Sequence, residues 1–318
     1  MIAFLKLIRI KNLIIIAFTQ YMVRFCLILP FIKNESPYYE LQMTELQFFL
    51  LVLSTIMIAA AGYIINDYFD VRIDKVNKPE KMVIDKGVKR RVAMGAHTVI
   101  NILAIMIALF VSYSIGYWKL ALVHFICTAG LWFYSTTFKR QFLIGNVVIA
   151  LFTAMVPLVV GVYELLLIYK NYLPVDETLN LSITWRWVLG ISFFAFITTL
   201  LREIIKDMED YEGDMEYGCN TLPIAIGIPK AKLVVTAIAV LTMAAMGYIQ
   251  YLNSRLGDFI SFAYFTAAIQ LPLVYLIYRT LKATEKKHFH IAGSTAKVIM
   301  FLGVCYLFIV YYYLIGRA

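Results

Sequence analysis

Charged residues are scarce in this chain of 318 residues. Asp, Glu, Lys and Arg together make up 15% of it, against about 25% in a typical soluble domain. Hydrophobic residues make up 62%, which is more apolar surface than a water-soluble chain of this size can bury. The same numbers exclude a disordered chain. Because the apolar residues come in runs of about 20, the length that crosses a bilayer, we expect an all-α integral membrane protein.

Cysteines are also few and far apart. The four of them, Cys26, Cys127, Cys219 and Cys305, form no Cys-x-x-Cys pair, so the pattern gives neither a disulfide framework nor a zinc site. The net charge of +9 would suit a nucleic-acid-binding protein. The cations, however, lie in segments between apolar runs, where they report membrane topology. We therefore expect membrane lipid, and no nucleic acid, as a partner.

About nine membrane spans are predicted. They cover residues 12–32, 46–66, 93–116, 117–135, 143–163, 186–206, 231–252, 259–280 and 294–315. Most of the 29 Lys and Arg residues fall on one side when the N-terminus is placed in the cytoplasm, and the positive-inside rule predicts that orientation. No linker divides the chain, so residues 1–318 are predicted to form a single multi-pass domain in the cytoplasmic membrane.

The first of two acidic clusters follows the second predicted span and reads NDYFDVRID. If that helix continues, Asn66, Asp70 and Asp74 are spaced i, i+4, i+8 and share one helical face. Like charges at this spacing repel, and a divalent cation is the natural way to offset the repulsion. Carboxylate and amide oxygens suit Mg²⁺, which usually keeps several waters and is completed by substrate phosphates.

The second acidic cluster follows the sixth predicted span. An even number of spans separates the two clusters, which predicts that both lie on one side of the membrane. Asp207, Asp210 and Asp214 fall at i, i+3, i+7, and we expect them to share one helix face, with Gly213 ending or bending the helix. Two such faces across a bundle would hold Mg²⁺ ions and grip a diphosphate. The alternative, solvated helix ends, is disfavoured because charge is so scarce elsewhere.

Cations accompany both clusters. The first loop carries Lys75, Lys78, Lys81, Lys86, Lys89, Arg90 and Arg91, and further cations are Lys139, Arg140, Arg202 and Lys206. Such groups neutralise a diphosphate leaving group, or bind anionic lipid at the membrane surface. We favour the diphosphate for Lys78 and Lys139, and both interpretations stay open for Arg90 and Arg91. The 22 Phe and 22 Tyr residues suit an apolar cavity for an isoprenoid chain and its allylic cation.

These motifs resemble those of the UbiA superfamily of intramembrane prenyltransferases. Asn66-Asp67-x-x-Asp70-x-x-x-Asp74 is similar to the family's first aspartate-rich motif, and Lys206-Asp207-x-x-Asp210-x-x-Gly213-Asp214 to the second. Shorter signatures agree, namely Arg9-x-x-Asn12, Tyr134-Ser135 ahead of Lys139-Arg140, and Gly145-Asn146. The resemblance covers nearly the whole chain.

The resemblance implies nine helices around a central cavity with a cytoplasmic polar cap. It also implies Mg²⁺-dependent transfer of a prenyl group from a prenyl diphosphate to a lipophilic acceptor. Metal ligands would be Asn66, Asp70, Asp74, Asp207, Asp210 and Asp214. The diphosphate would be bound by Arg9, Asn12, Lys78, Tyr134, Lys139, Asn146 and Lys206. The catalytic residues would be Asp70, Asp74, Asp210, Asp214 and Lys139.

Within the superfamily, residues 66–80 and 201–223 look closest to digeranylgeranylglyceryl phosphate synthases. Those enzymes add a geranylgeranyl group to the free hydroxyl of geranylgeranylglyceryl phosphate. The Lys-rich loop would suit an acceptor with its own phosphate, but an aromatic acceptor of quinone biosynthesis stays open. A transporter is a remote alternative, because transporters usually bind their substrates near the bilayer midplane on broken helices. The pair of acidic motifs argues against a purely structural membrane protein.

Overall fold

Helices account for nearly all of the chain in the computed structural model, which describes residues 2–255 and 257–315. In chain order they are α1 Ile2–Leu7, α2 Ile10–Glu35, α3 Glu45–Asn77, α4 Arg90–Ser114, α5 Ala121–Thr136, α6 Ile144–Tyr172, α7 Ser182–Glu209, α8 Tyr211–Glu216, α9 Leu222–Ile226, α10 Ile228–Arg255, α11 Phe259–Lys282 and α12 Lys286–Ile315. Short 3₁₀ turns lie at Pro79–Lys81, Trp118–Leu120 and Phe138–Arg140. The predicted all-α class is confirmed, since β pairing within the described residues is limited to one isolated bridge between Ile84 and Val88.

Every predicted span overlaps a helix over most of its length, and the protein is a multi-pass membrane protein. Eight helices among the described residues are long and apolar enough to cross a bilayer. The predicted span 117–135 corresponds to α5, whose 16 residues reach about 24 Å at 1.5 Å per residue, against a hydrocarbon core of about 30 Å. The count of nine spans, the polar cap and the orientation therefore stay predictions.

Contacts divide the chain into two compact units. The first unit comprises the chain up to Phe138 together with Met155–Leu189, and the second comprises Lys139–Ala154 together with the chain from Gly190 onwards. Both α6 and α7 contribute residues to each unit. Each unit has a buried apolar core of its own.

The first unit is built around α3. The helix begins with a capping box, in which the Thr44 hydroxyl accepts the Gln47 N–H at 3.2 Å and the Gln47 side chain accepts the Thr44 N–H at 2.9 Å. This pair satisfies backbone donors that a helix start leaves open. Gly62 lets α5 approach closely, because a Cβ there would lie 2.9 Å from a methyl group of Leu131. The long helix thus provides a rigid support for the groups at its far end.

The second unit buries its apolar side chains among α7, α10, α11 and α12. Ile204 and Ile205 of α7 and Leu273 of α11 are almost completely buried in this core. Small residues recur where these helices meet, and the buried ones include Ala231, Ala239, Ala292 and Ala296. Small side chains let membrane helices pack at short range through van der Waals contact.

A buried ion pair lies within the membrane-spanning part of the first unit. Arg24 sits in a π-helical turn of α2, Val23–Ile28, and its side chain is completely buried. Its Nε lies 3.4 Å from Oε2 of Glu164 on α6, which is also completely buried. Its Nη1 donates to Glu45 at 2.9 Å. A charge in the bilayer is tolerated when it is paired in this way.

Glu164 also binds the chain that leads into α3. Its carboxylate accepts the backbone N–H of Met43 at 3.1 Å and that of Gln42. One buried carboxylate thereby joins α2, α6 and the connection between α2 and α3. All partners of Glu164 belong to the first unit. The Glu164 carboxylate therefore acts as a crosslink within that unit.

We expect Arg24→Met to lower the free energy of unfolding by about 3–5 kcal/mol, because it leaves Glu164 buried without its cation. The double variant R24M/E164Q removes both charges, keeps an acceptor for the backbone N–H groups of Gln42 and Met43, and should recover most of that loss. Unfolding in mixed detergent micelles, followed by circular dichroism, measures both. A double variant no more stable than R24M would contradict the assignment.

Candidate active site

The first acidic motif lies on the last turns of α3, beyond the predicted span. α3 runs without a break to Asn77, so the predicted alignment of Asn66, Asp70 and Asp74 on one helix face is confirmed. Asn66 Nδ2 donates to Asp70 Oδ2 at 2.9 Å. This bond fixes one oxygen-bearing side chain against the next, one helical turn apart.

Arg9 is held against the same motif from the start of α2. Its backbone has φ 52°, a left-handed conformation that is uncommon for a residue with a side chain. Its guanidinium donates to Asp67 Oδ1 at 2.8 Å and lies 4.8 Å from the centre of the Tyr63 ring. Asn12 donates to the Tyr63 hydroxyl at 3.2 Å. Both predicted diphosphate-binding residues of this segment are thus positioned by α3.

Sequence reasoning did not single out Tyr63. The signal was present, because Tyr63 and Asp67 are spaced i, i+4 and therefore neighbour each other on the helix surface. Glu203 belongs to the second acidic cluster but has no predicted role: it is buried, is paired with Arg202 and precedes Asp207 by four residues. Neither residue belongs to the two aspartate-rich motifs, so its part in the site depends on contacts.

The second acidic motif departs from the predicted continuous helix. α7 ends at Glu209, and Asp210 has φ −96° and ψ 8° before the short helix α8 begins. The helix therefore breaks at Asp210 and not at Gly213, where the sequence predicted that it would end or bend. A helix start favours acidic side chains in its first turn. The break places Glu212 and Asp214 in the first turn of α8.

Asn146 holds Asp207 in place within the second unit. Its Nδ2 donates to Asp207 Oδ2 at 2.7 Å, and the Asn146 side chain is buried. The preceding Leu143 has φ 57°, a backbone conformation that costs about 1–3 kcal/mol. Its side chain packs on the apolar core of the second unit. Packing therefore maintains the strained turn that brings Asn146 to Asp207.

Lys139 lies in the same part of the second unit. Its side chain is half-buried overall, and its ammonium nitrogen is sealed from solvent. Burial, together with the positive charges of Lys206 and Arg140, lowers the pKa of Lys139 to about 7, although the negative charge of Asp214 opposes this shift. An anion placed beside this ammonium group would favour its charged form and raise the pKa again.

The predicted site residues are shared between the two units. The first unit holds Arg9, Asn12, Asn66, Asp70, Asp74, Lys78 and Tyr134, and the second holds Lys139, Asn146, Lys206, Asp207, Asp210 and Asp214. Over residues 2–255 and 257–315, no three His, Cys, Asp or Glu side chains converge into a ready-made metal cage. The carboxylate and amide oxygens of the motifs suit Mg²⁺, which proteins usually bind through one or two carboxylates completed by phosphates and water.

The fold and the site define a class of protein: an all-α membrane protein with two acidic motifs at the ends of membrane-spanning helices. The model of the UbiA prenyltransferase family matches residues 39–302. The chain therefore belongs to the UbiA prenyltransferase family, which confirms the resemblance noted above. The predicted class of enzyme, a prenyltransferase, is confirmed with it.

Individual relatives agree with this assignment. The chain is 31% identical to the digeranylgeranylglyceryl phosphate synthase of Thermococcus kodakarensis over 262 residues. The aligned region covers 82% of this chain and 84% of the relative. A solved structure of a digeranylgeranylglyceryl phosphate synthase matches with TM-score 0.60 and 24% identity over 97% of each chain. A UbiA homologue from Archaeoglobus fulgidus bound to DMAPP and Mg²⁺ matches with TM-score 0.56 and 16% identity, over 96% of this chain and 98% of the homologue. The two structural matches confirm the fold.

We expect Asn146→Ala to slow prenyl transfer by about 10- to 100-fold, the cost of one hydrogen bond to a charged group. The physical reason is that Asp207 loses the donor that orients it. Initial rates at saturating substrate measure the loss. Asn171→Ala is a matched control, because it removes an amide that donates to Gln42 at 2.7 Å away from both motifs. Equal losses in the two variants would exclude a positioning role for Asn146.

Proposed function

We propose that this protein transfers a geranylgeranyl group from its diphosphate to the free hydroxyl of geranylgeranylglyceryl phosphate. The observation that carries the proposal is the pair of acidic motifs whose oxygens are set in place by amide donors, Asn66 to Asp70 and Asn146 to Asp207. The similarity to a digeranylgeranylglyceryl phosphate synthase over most of both chains supports the choice of substrates. Residues 1–318 act as one domain in the cytoplasmic membrane, with the N-terminus and the site on the cytoplasmic side.

The oxygens of both motifs bind Mg²⁺ in this proposal. The ligands are Asn66, Asp70, Asp74, Asp207, Asp210 and Asp214. Their chemistry suits Mg²⁺, and the A. fulgidus homologue of the same fold binds DMAPP together with Mg²⁺. When bound, the metal supplies positive charge that stabilises the diphosphate.

The cations and amides of the chain bind the diphosphate and stabilise its departure. Lys139 and Lys206 lie close enough to influence each other's charge, so an anion beside them is strongly favoured. The proposed diphosphate site is completed by Arg9, Asn12, Lys78, Tyr134 and Asn146. Two of these residues also position carboxylates: Arg9 donates to Asp67, and Asn146 donates to Asp207. These groups stabilise the charge that develops on the leaving diphosphate.

The proposed transfer is a substitution at C1 of the prenyl chain. The allylic C–O bond to the diphosphate breaks, and the electron pair leaves with the diphosphate. The acceptor oxygen forms the new C–O bond and gives up its proton, either to a carboxylate of the motifs or to the departing diphosphate. Exclusion of water by apolar side chains keeps the allylic cation from being hydrolysed.

We expect Asp70→Asn and Asp210→Asn each to reduce prenyl transfer by at least about 100-fold, because each removes charge that holds the metal-bound diphosphate. Transfer of radiolabelled geranylgeranyl diphosphate in detergent measures the rate, and circular dichroism checks the fold. Asp85→Asn is the control, since Asp85 is exposed and has φ 70°, a conformation that Asn adopts readily. Wild-type turnover in either motif variant would refute the proposal.

The acceptor is tested separately. Wild-type protein is given geranylgeranyl diphosphate with geranylgeranylglyceryl phosphate, with geranylgeranylglycerol, or with an aromatic acid such as a hydroxybenzoate. We expect the phosphate-bearing acceptor to give a kcat/KM at least about tenfold above the others, since charge-assisted hydrogen bonds to its phosphate are lost with the other two. Preference for the aromatic acid would keep the prenyltransferase assignment and overturn the acceptor.

A further inference from the structure

We propose that the first unit carries a surface that binds the headgroups of anionic lipids in the bilayer. This surface, here called the interfacial anchor, consists of α1, residues 82–88 and the first turn of α4. It involves none of the residues that the proposed prenyl transfer uses.

One apolar core joins the three parts of the interfacial anchor to each other and to α3. Leu7 of α1 is completely buried in this core, which also contains Ile84 and Ala93 as well as Ile64 and Val71 of α3. Gly87 permits the approach of α1, because a Cβ there would lie 2.9 Å from Cβ of Ala3. The left-handed turn at Arg9 separates α1 from α2, so α1 is a docked helix of its own and not the start of a membrane span.

Exposed apolar side chains lie on this surface beside that core. Ile2 is 70% exposed, Leu5 38% and Val92 56%. α1 therefore has apolar residues on two sides, one buried in the core and one open. A short helix that exposes apolar side chains next to cations is typical of a segment lying in the boundary between headgroups and acyl chains.

The charge of the interfacial anchor is positive. Its exposed cations are Lys6, Lys86, Lys89, Arg90 and Arg91. Asp85 pairs with Arg90 at 3.0 Å and offsets one of them. Basic residues close to a bilayer surface strengthen binding to anionic lipid by about fivefold each.

The start of α4 independently indicates an anionic partner. Its cap residue is Lys89, its first two residues are Arg90 and Arg91, and its first turn has no acidic residue. A helix N-terminus favours negative charge, so three consecutive cations there destabilise the helix. An anionic headgroup layer at this helix start would offset the repulsion, because the negative charge of the lipid attracts both the cations and the helix N-terminus.

These cations suit a headgroup layer better than a single substrate phosphate. Lys89, Arg90 and Arg91 are consecutive and all exposed, so they are spread along the chain and open to solvent. A site for one phosphate requires donors that converge on it. The bilayer also explains why the neighbouring apolar side chains of Ile2 and Leu5 are exposed, which a phosphate site would not.

The test uses the whole chain in phosphatidylcholine vesicles that contain a trace of photoreactive phosphatidylglycerol. A parallel sample contains photoreactive phosphatidylcholine with the same acyl chains instead. Labelled peptides are mapped by mass spectrometry. We expect phosphatidylglycerol to label residues 2–11 and 86–92 at least about fivefold more than phosphatidylcholine. The variant K89Q/R91Q should lose most of this excess. The control K119Q/R186Q, which removes the same charge from exposed positions of the first unit, should retain it.

Equal labelling by the two lipids, or an excess that K89Q/R91Q leaves unchanged, would overturn the interfacial anchor. A second arm measures the KM for the phosphate-bearing acceptor in lipid-free detergent. A KM raised at least about fivefold by K89Q/R91Q, with no loss of phosphatidylglycerol labelling, would assign these cations to the substrate instead. Labelling needs no turnover, so failure of the proposed reaction would not be mistaken for failure of this inference.

Discussion

Charge in or next to a bilayer has to be paired, and this requirement organises the molecule. Desolvated carboxylates are costly unless hydrogen bonds or cations compensate them. Asp70 accepts from Asn66, Asp67 from Arg9, and Asp207 from Asn146. Each of these bonds satisfies a carboxylate and also sets its direction. The acidic motifs are thus held in defined positions, which is the preorganisation that electrostatic catalysis requires.

The same constraint has a different result where no substrate is bound. Arg24 and Glu164 are both completely buried, and Glu164 also accepts backbone N–H groups of the preceding connection. That network joins elements of the first unit and supports the fold. In contrast, the oxygens of the acidic motifs suit a cation completed by phosphate oxygens.

Strained backbone recurs at the helix starts that carry site residues. Arg9 and Leu143 both adopt positive φ, and they precede Asn12 and Asn146 by three residues. Arg9 is stabilised by Asp67 and the Tyr63 ring, and Leu143 by apolar packing. Strain of this kind persists when surrounding contacts over-determine it. The local sequence therefore disfavours these turns, and tertiary contacts maintain them.

Composition and the length of the apolar runs alone determined the membrane class, because a bilayer admits only backbone that satisfies its own hydrogen bonds. Eight of the predicted spans coincide with described helices that are long and apolar enough to cross a bilayer. The spacing of Asn66, Asp70 and Asp74 likewise settled which residues share a face, since helix geometry is local. Tertiary structure decided which residues meet: Arg24 with Glu164, Arg9 with Asp67, and Asn146 with Asp207. It also decided that α7 ends at Glu209 and not at Gly213. Partners that lie 58 or 61 residues apart leave no periodic signal, because their meeting depends on how whole helices pack.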